Sequence, residues 1–192
     1  MRTRLIAIVI AACAAMPAGA APAPQITDPA GDSRVPVAGM DIVSATFSTA
    51  GTTAKVRGKT VYTPTKLVVA VTYSGDVTTD PYATHAVVFN APTCSEIYLQ
   101  VYSGGTYGAT GCSSATFEFT SAVSGHTLTF TVPFATIGKQ YLKPGTTLTD
   151  LVVYSAASEP LFGYESRELS SAVPGVDGAI DSATTTASFR IR

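Results

Sequence analysis

The chain has 192 residues, 12 Lys and Arg against 13 Asp and Glu, and no Trp. No Lys/Arg stretch forms a nucleic-acid footprint, so DNA or RNA as a partner is disfavoured. Past the N-terminus no apolar run approaches the ~18 residues of a membrane helix, which argues against a transmembrane segment in the processed form.

The chain opens MRTRLIAIVIAACAAMPAGAAPAP. Arg2 and Arg4 form a basic start, and Leu5 to Met16 is an apolar run of signal-peptide length. Pro17 breaks it, and Ala18-Gly19-Ala20 offers a small-x-small cleavage site. These features predict an export signal over residues 1–20, with a weaker slip site after Ala23, and a secreted, extracellular protein. A rival reading makes Ile10-Ala11-Ala12-Cys13 a lipoprotein signal, with the mature chain anchored through Cys13. The first 20 residues hold two of the 12 basic residues and none of the acidic ones. The remainder therefore carries 10 basic against 13 acidic side chains, a net charge of −3. Residues 21–27 read as a flexible, extended Pro/Ala leader, and residues 28–192 as a single domain.

Within that domain period-2 alternation recurs between Gly, Ser, Thr and Pro punctuation. Asp41 to Ser48 sets Val43, Ala45 and Phe47 on one side. Lys66 to Tyr73 does the same with Leu67, Val69, Val71 and Tyr73. His85 to Phe89 places Val87 beside Phe89. Glu96 to Tyr102 aligns Ile97, Leu99 and Val101, with Tyr98, Gln100 and Tyr102 opposite. Gly104-Gly105 turns the chain. Phe117 and Phe119 mark the next strand, and Ser124-Gly125 leads into Thr127 to Val132. Residues 133–138 hold one helical turn. Thr149 to Tyr154 and Thr185 to Ile191 supply the last strands. This succession predicts an all-β, two-sheet antiparallel β-sandwich of jelly-roll type after an N-terminal signal helix.

Once Cys13 is removed, Cys94 and Cys112 remain, an even pair that reads as one disulfide in an exported protein. Cys94/Cys112 and Tyr98/Tyr107 bracket the Gly104-Gly105 hairpin, so the bridge ties its open end. Tyr98, Gln100, Tyr102 and Tyr107 form the best candidate recognition face, because aromatics with polar tips suit sugars or a protein partner.

Three segments together resemble the β-sandwich domains related to family-9 carbohydrate-binding modules and DOMON domains. They are Asp28-Pro29-Ala30-Gly31-Asp32 with Asp41-Ile42, then Leu128 to Pro133 running into Phe134 to Gly138, and Asp177 and Asp181 before a final strand ending Phe189-Arg190-Ile191. The resemblance implies a sandwich and a calcium ion near the first strand. Asp28, Asp32 and Asp41 would hold it, with Asp181 or Asp177 adding a ligand. Hard-cation chemistry suits that set, since Ca²⁺ takes carboxylate and carbonyl oxygens. The sugar-binding relatives grip their ligand between tryptophans, which this chain lacks.

Catalysis has little support. Two isolated histidines, His85 and His126, offer no zinc motif, and no G-x-S-x-G elbow positions a serine. Glu159, Glu165 and Glu168 cluster, but a solvated loop with Arg167 accounts for them. The sequence therefore points to a non-catalytic interaction or structural protein of the cell exterior. The alternative is a carbohydrate- or cell-wall-binding module that uses the tyrosine row. The partners in view are a glycan, a cell-wall polymer or a surface protein.

Overall fold

The computed structural model describes residues 22–33, 38–78, 83–102, 105–138, 140–157 and 179–192, with backbone alone at 114–115 and 179–182. The predicted signal segment over residues 1–20, with Cys13, and Glu159, Glu165, Glu168 and Asp177 lie outside the described residues. In chain order the strands are β1 (Ile26–Thr27), β2 (Ile42–Val56), β3 (Lys59–Tyr73), β4 (Ala83–Ala91), β5 (Cys94–Tyr102) and β6 (Gly105–Thr110). They continue with β7 (Ser113–Phe117), β8 (Thr120–Ser124), β9 (Thr127–Pro133), β10 (Thr147–Ala157), β11 (Ala179–Thr185) and β12 (Phe189–Arg190). One helical turn, α1 (Phe134–Ile137), follows β9 where the sequence predicts it.

Two antiparallel sheets pack face to face as a β-sandwich. One has the order β1-β2-β3-β9-β8; the other runs β11-β10-β4-β5-β6-β7, with β12 also on β10. The alternation explains the packing, because every second residue of a strand points into the space between the sheets. Leu67, Val69, Val71 and Tyr73 of β3 are buried, as are Leu128, Phe130 and Val132 of β9. Facing them are Val87 and Phe89 of β4, Ile97 and Leu99 of β5, and Leu151 and Val153 of β10. Phe47 joins the two layers: its ring meets Phe89 edge-on at 6.3 Å and Phe189 at 6.1 Å.

Five details differ from the sequence expectation. Ile26 and Thr27, read as the end of a leader, form β1 on the edge of β2, and Ile26 is buried in the core. The alternation at the start of β2 slips at Val43, where the register shifts between Ile42 and Ser44, so Ile42 is buried and Val43 only half-buried. Phe119 lies in the link between β7 and β8 rather than on a strand with Phe117. The final strand is split: Thr185 closes β11, Thr185 Oγ1 accepts the Ala187 N–H at 3.0 Å, and β12 restarts at Phe189. Lastly, β2 and β3 run far past the alternating segments.

That extension is a β-hairpin arm. β2 pairs with β3 from Ile42↔Tyr73 out to Val56↔Lys59. β1 covers the edge of β2 only at Ser44 and Ala45, and β9 covers β3 only from Lys66 to Thr72. From Gly51 to Thr63 every residue is exposed, on both faces. Arg57 (φ 49°) and Gly58 (φ 77°) form the two-residue turn at its tip, with the left-handed angles that match a twisted hairpin. A bulge at the root, between Ala50/Lys66 and Gly51/Pro64, marks where the strands leave the sandwich. Gly51 is required there, since a Cβ would sit 2.0 Å from the Thr63 carbonyl oxygen.

Candidate interaction surfaces

The acidic turn lies where the chain enters β2. The Asp28 N–H donates to the Val43 carbonyl at 2.8 Å, and the Gly31 N–H donates to Asp41 Oδ2 at 2.7 Å. These two bonds fold the turn at Asp28–Gly31 onto the start of β2. Burial raises the Asp28 pKa above its ordinary value, and the Asp32 and Asp41 charges raise it further. Asp41 is 4% exposed, and its Oδ1 has no hydrogen-bond partner among the described residues. Among the described residues no three His, Cys, Asp or Glu side chains converge as a metal-ligand set. Asp181 sits on β11 opposite Ser155, and β11 approaches β1 and β2; its side chain is not described.

The tyrosine row lies on the outer face of the second sheet. Gln100 pairs with Tyr107 and Tyr98 with Ala109, so Tyr107 is diagonal to Tyr98, two residues from the bracketing expected. A shift of two keeps every side chain on its expected face. Tyr102 and Tyr107 are 41% and 43% exposed, whereas Tyr98 is half-buried. The Tyr98 and Tyr107 rings meet at 63°, an edge-on pair rather than a flat platform for a sugar ring. Tyr98 also shares a hydroxyl–hydroxyl hydrogen bond with buried Tyr154. Burial raises both phenol pKa values, that of Tyr154 strongly. Tyr98 is therefore partly structural, and Tyr102, Tyr107 and Gln100 are the accessible members.

The disulfide is present: Cys94 at the start of β5 is bonded to Cys112, beyond the end of β6. The bridge closes the end of that hairpin opposite its turn.

Among the described residues neither histidine is held by a carboxylate in the geometry of a catalytic base. His126 is exposed in the β8–β9 turn, 3.5 Å from Asp76. His85 is 3% exposed, with Nε2 3.0 Å from the Thr78 carbonyl oxygen, and burial lowers its pKa. Its cross-strand neighbour is Ser155, which in turn faces Asp181. This row places Ser between His and Asp, whereas a nucleophilic triad needs the imidazole between them. His85 Nδ1 and Ser155 Oγ both lack a hydrogen-bond partner among the described residues.

The arm was missed by alternation because no side chain of GTTAKVRGKTVYT reaches the core: Val56, Val61 and Tyr62 are all exposed. The legible signal was Arg57-Gly58 between two runs rich in Thr and Val. Cross-strand pairs divide its faces: Gly51/Pro64, Thr53/Tyr62 and Lys55/Thr60 point one way, Thr52/Thr63, Ala54/Val61 and Val56/Lys59 the other. The Tyr62 hydroxyl donates to the Thr49 carbonyl at 3.0 Å, tying the arm to its root. A cleft of about 430 Å³ opens beside that root, floored by Phe47 and Phe189 and walled by Ser48, Thr49, Arg190 and Arg192. A second, more apolar recess of about 350 Å³ lies between Pro64, Phe134, Leu142 and Pro144.

No family model, no curated protein and no solved structure matches this chain.

Proposed function

We propose that this chain is a non-catalytic protein of the cell exterior that works by contact with a partner, and that the β2–β3 arm makes the contact. The observation that carries this reading is the exposure of the arm on both faces from Gly51 to Thr63. Those side chains add nothing to the core, and a bare hairpin is marginal in water. The arm therefore costs ordering free energy that core packing does not return. The export signal that the sequence predicts and the Cys94–Cys112 disulfide are consistent with the same reading. The test is capture from whole cell-envelope extract by the purified protein, against a variant in which residues 53–62 are replaced by Asn-Gly. Equal capture by both would end this reading.

A glycan-binding role for Tyr102, Tyr107 and Gln100 is a second reading, favoured by the exposure of the two rings. It predicts that Tyr102→Ala with Tyr107→Ala weakens retention on a neutral polysaccharide, while the arm variant does not.

Calcium at the acidic turn is a further part of the proposal, supported by the buried Asp41 Oδ1, which has no partner among the described residues, and the charge crowding at Asp28. The fit is partial, since the described side chains supply no set of three converging ligands. A bound ion would stabilise the fold by about 2.7 kcal/mol at a hundredfold excess over Kd. Melting should then rise with millimolar calcium in the native protein and stay flat in Asp41→Asn. The same melting temperature with calcium and with chelator would remove the ion from the account.

A further inference from the structure

The charge of the chain is distributed unevenly along it. Between Asp41 and Asp76 there is no acidic residue, while Lys55, Arg57, Lys59 and Lys66 all fall in that stretch. Topology turns this into a spatial separation. β2 leaves Asp41 and runs out to the arm, and β3 returns to Tyr73, three residues before Asp76. Asp41 and Asp76, with Asp28 near Asp41, therefore lie at the end of the sandwich opposite the arm. At the arm root Arg190 and Arg192 add two more cations, both exposed. None of these cations has an ion-pair partner among the described residues.

We propose that the arm and the arginine-walled cleft at its root form one docking surface for a linear, anionic glycan whose repeat units carry carboxylate or phosphate groups. This rests on the reading of the arm as the contact element. A flat anionic surface fits less well. Lys55 and Lys59 lie on opposite faces of the hairpin and Arg57 at its tip. The cleft beside Thr49 lies about 24 Å from the tip, at ~3.4 Å per residue over the intervening strand. A plane that touches the tip misses the cleft; a plane that lies along one face reaches only one of the two lysines. An extended chain of repeating charges can follow the arm down and end in the cleft.

The chemistry around the cations separates a glycan from a nucleic acid. Thr52, Thr53, Thr60 and Thr63 present hydroxyls along the arm, and Ser48 and Thr49 do so in the cleft. Hydroxyls that both donate and accept match sugar hydroxyls. The one aromatic ring of the arm, Tyr62, is tied by its hydroxyl to Thr49, so no row of rings is offered for stacked bases. In the cleft the arginine guanidinium forks suit bidentate binding of a carboxylate or phosphate.

The test measures binding of the purified protein to immobilised polygalacturonate, poly(glycerol phosphate) teichoic acid, neutral dextran, duplex DNA and phosphatidylserine vesicles. Retention on one of the two anionic glycans and not on dextran is expected, falling steeply as salt screens the exposed charges. Lys55→Gln/Arg57→Gln/Lys59→Gln should weaken it about tenfold or more. Arg190→Gln/Arg192→Gln should weaken it separately, with melting temperatures unchanged in both variants. Tighter binding to DNA or vesicles than to either glycan would overturn the inference, as would full retention by the triple variant or binding to neither glycan. Loss of envelope capture on truncating the arm, with capture kept in the triple variant, would leave the arm as contact element and sink the polyanion alone.

Discussion

His85 is the titratable side chain whose surroundings make the clearest prediction. Its ring lies against Tyr73, 5.1 Å between centroids, and beside Ser155 and Val101 on the neighbouring strands. The Nε2–H donates to Thr78, so a second proton would add an N–H at Nδ1, which has no acceptor among the described residues. A folded-state pKa below the unfolded value means that the unfolded chain takes up the proton first. Stability from this residue is then full above about pH 6.5 and is lost as pH falls through that value, with a slope of at most ~1.4 kcal/mol per pH unit. Urea midpoints between pH 7.5 and 5 should fall in the native protein and fall less in His85→Gln; parallel curves would refute this. Asp28 acts in the opposite sense and at lower pH, since its pKa is raised. At Phe47, buried and bracketed by Phe89 and Phe189, truncation to Ala should cost about 3–5 kcal/mol by leaving a cavity between the sheets. A loss under 1 kcal/mol in chemical denaturation would contradict the core assignment. Phe47 was legible from alternation. The burial of His85 was not. Its polar ring gave no sign that Tyr73 and Ser155 would enclose it, because those contacts join strands far apart in sequence.

Among the elements, the strands with one buried side were read best, since a two-residue period survives in the sequence only where one face is apolar. β3 beyond Lys66, β5 and β9 show this. β6, with Gly and Ala among its central residues, carries no such contrast and was read only from the Gly104-Gly105 turn and the cysteine pair; the exposed arm became visible only through strand pairing. The arm also bears two unguarded edges, and its lysines help to keep other strands from adding there. The β5–β6 hairpin gives a testable element. The Cys94–Cys112 bridge spans 18 residues, and removing it frees the unfolded chain, a loss of roughly 3 kcal/mol. Cys94→Ala/Cys112→Ala should unfold at correspondingly lower denaturant. Equal stability of this variant and the oxidised native protein would show that the hairpin holds its ends without the bond.

At the scale of the whole molecule, the sandwich and the arm divide the labour. Between the sheets one continuous apolar cluster runs from Ile26 on β1 to Ile191 beside β12 and includes residues of both layers, and a smaller cluster of Ala86, Tyr154 and Ala156 with Val88 and Tyr98 lies on the outer side of the second sheet. The arm lies outside both clusters. Beyond Pro64, which is buried at the root, its residues are exposed, and the contact that returns to the root is the Tyr62–Thr49 hydrogen bond. Thr52 and Thr63 are directly paired, so Asn-Gly in place of residues 53–62 can close them with a two-residue turn without changing the register below. Gly51, Pro64 and the bulge remain as they are. The shortened protein should keep its denaturant midpoint to within about 1 kcal/mol of native stability, because surface changes away from the core are usually of that size. Its near-ultraviolet circular dichroism should lose only the Tyr62 contribution. A drop of several kcal/mol would mean that the arm folds back to brace the sandwich. The surface argued above would then have to be read as a structural strut.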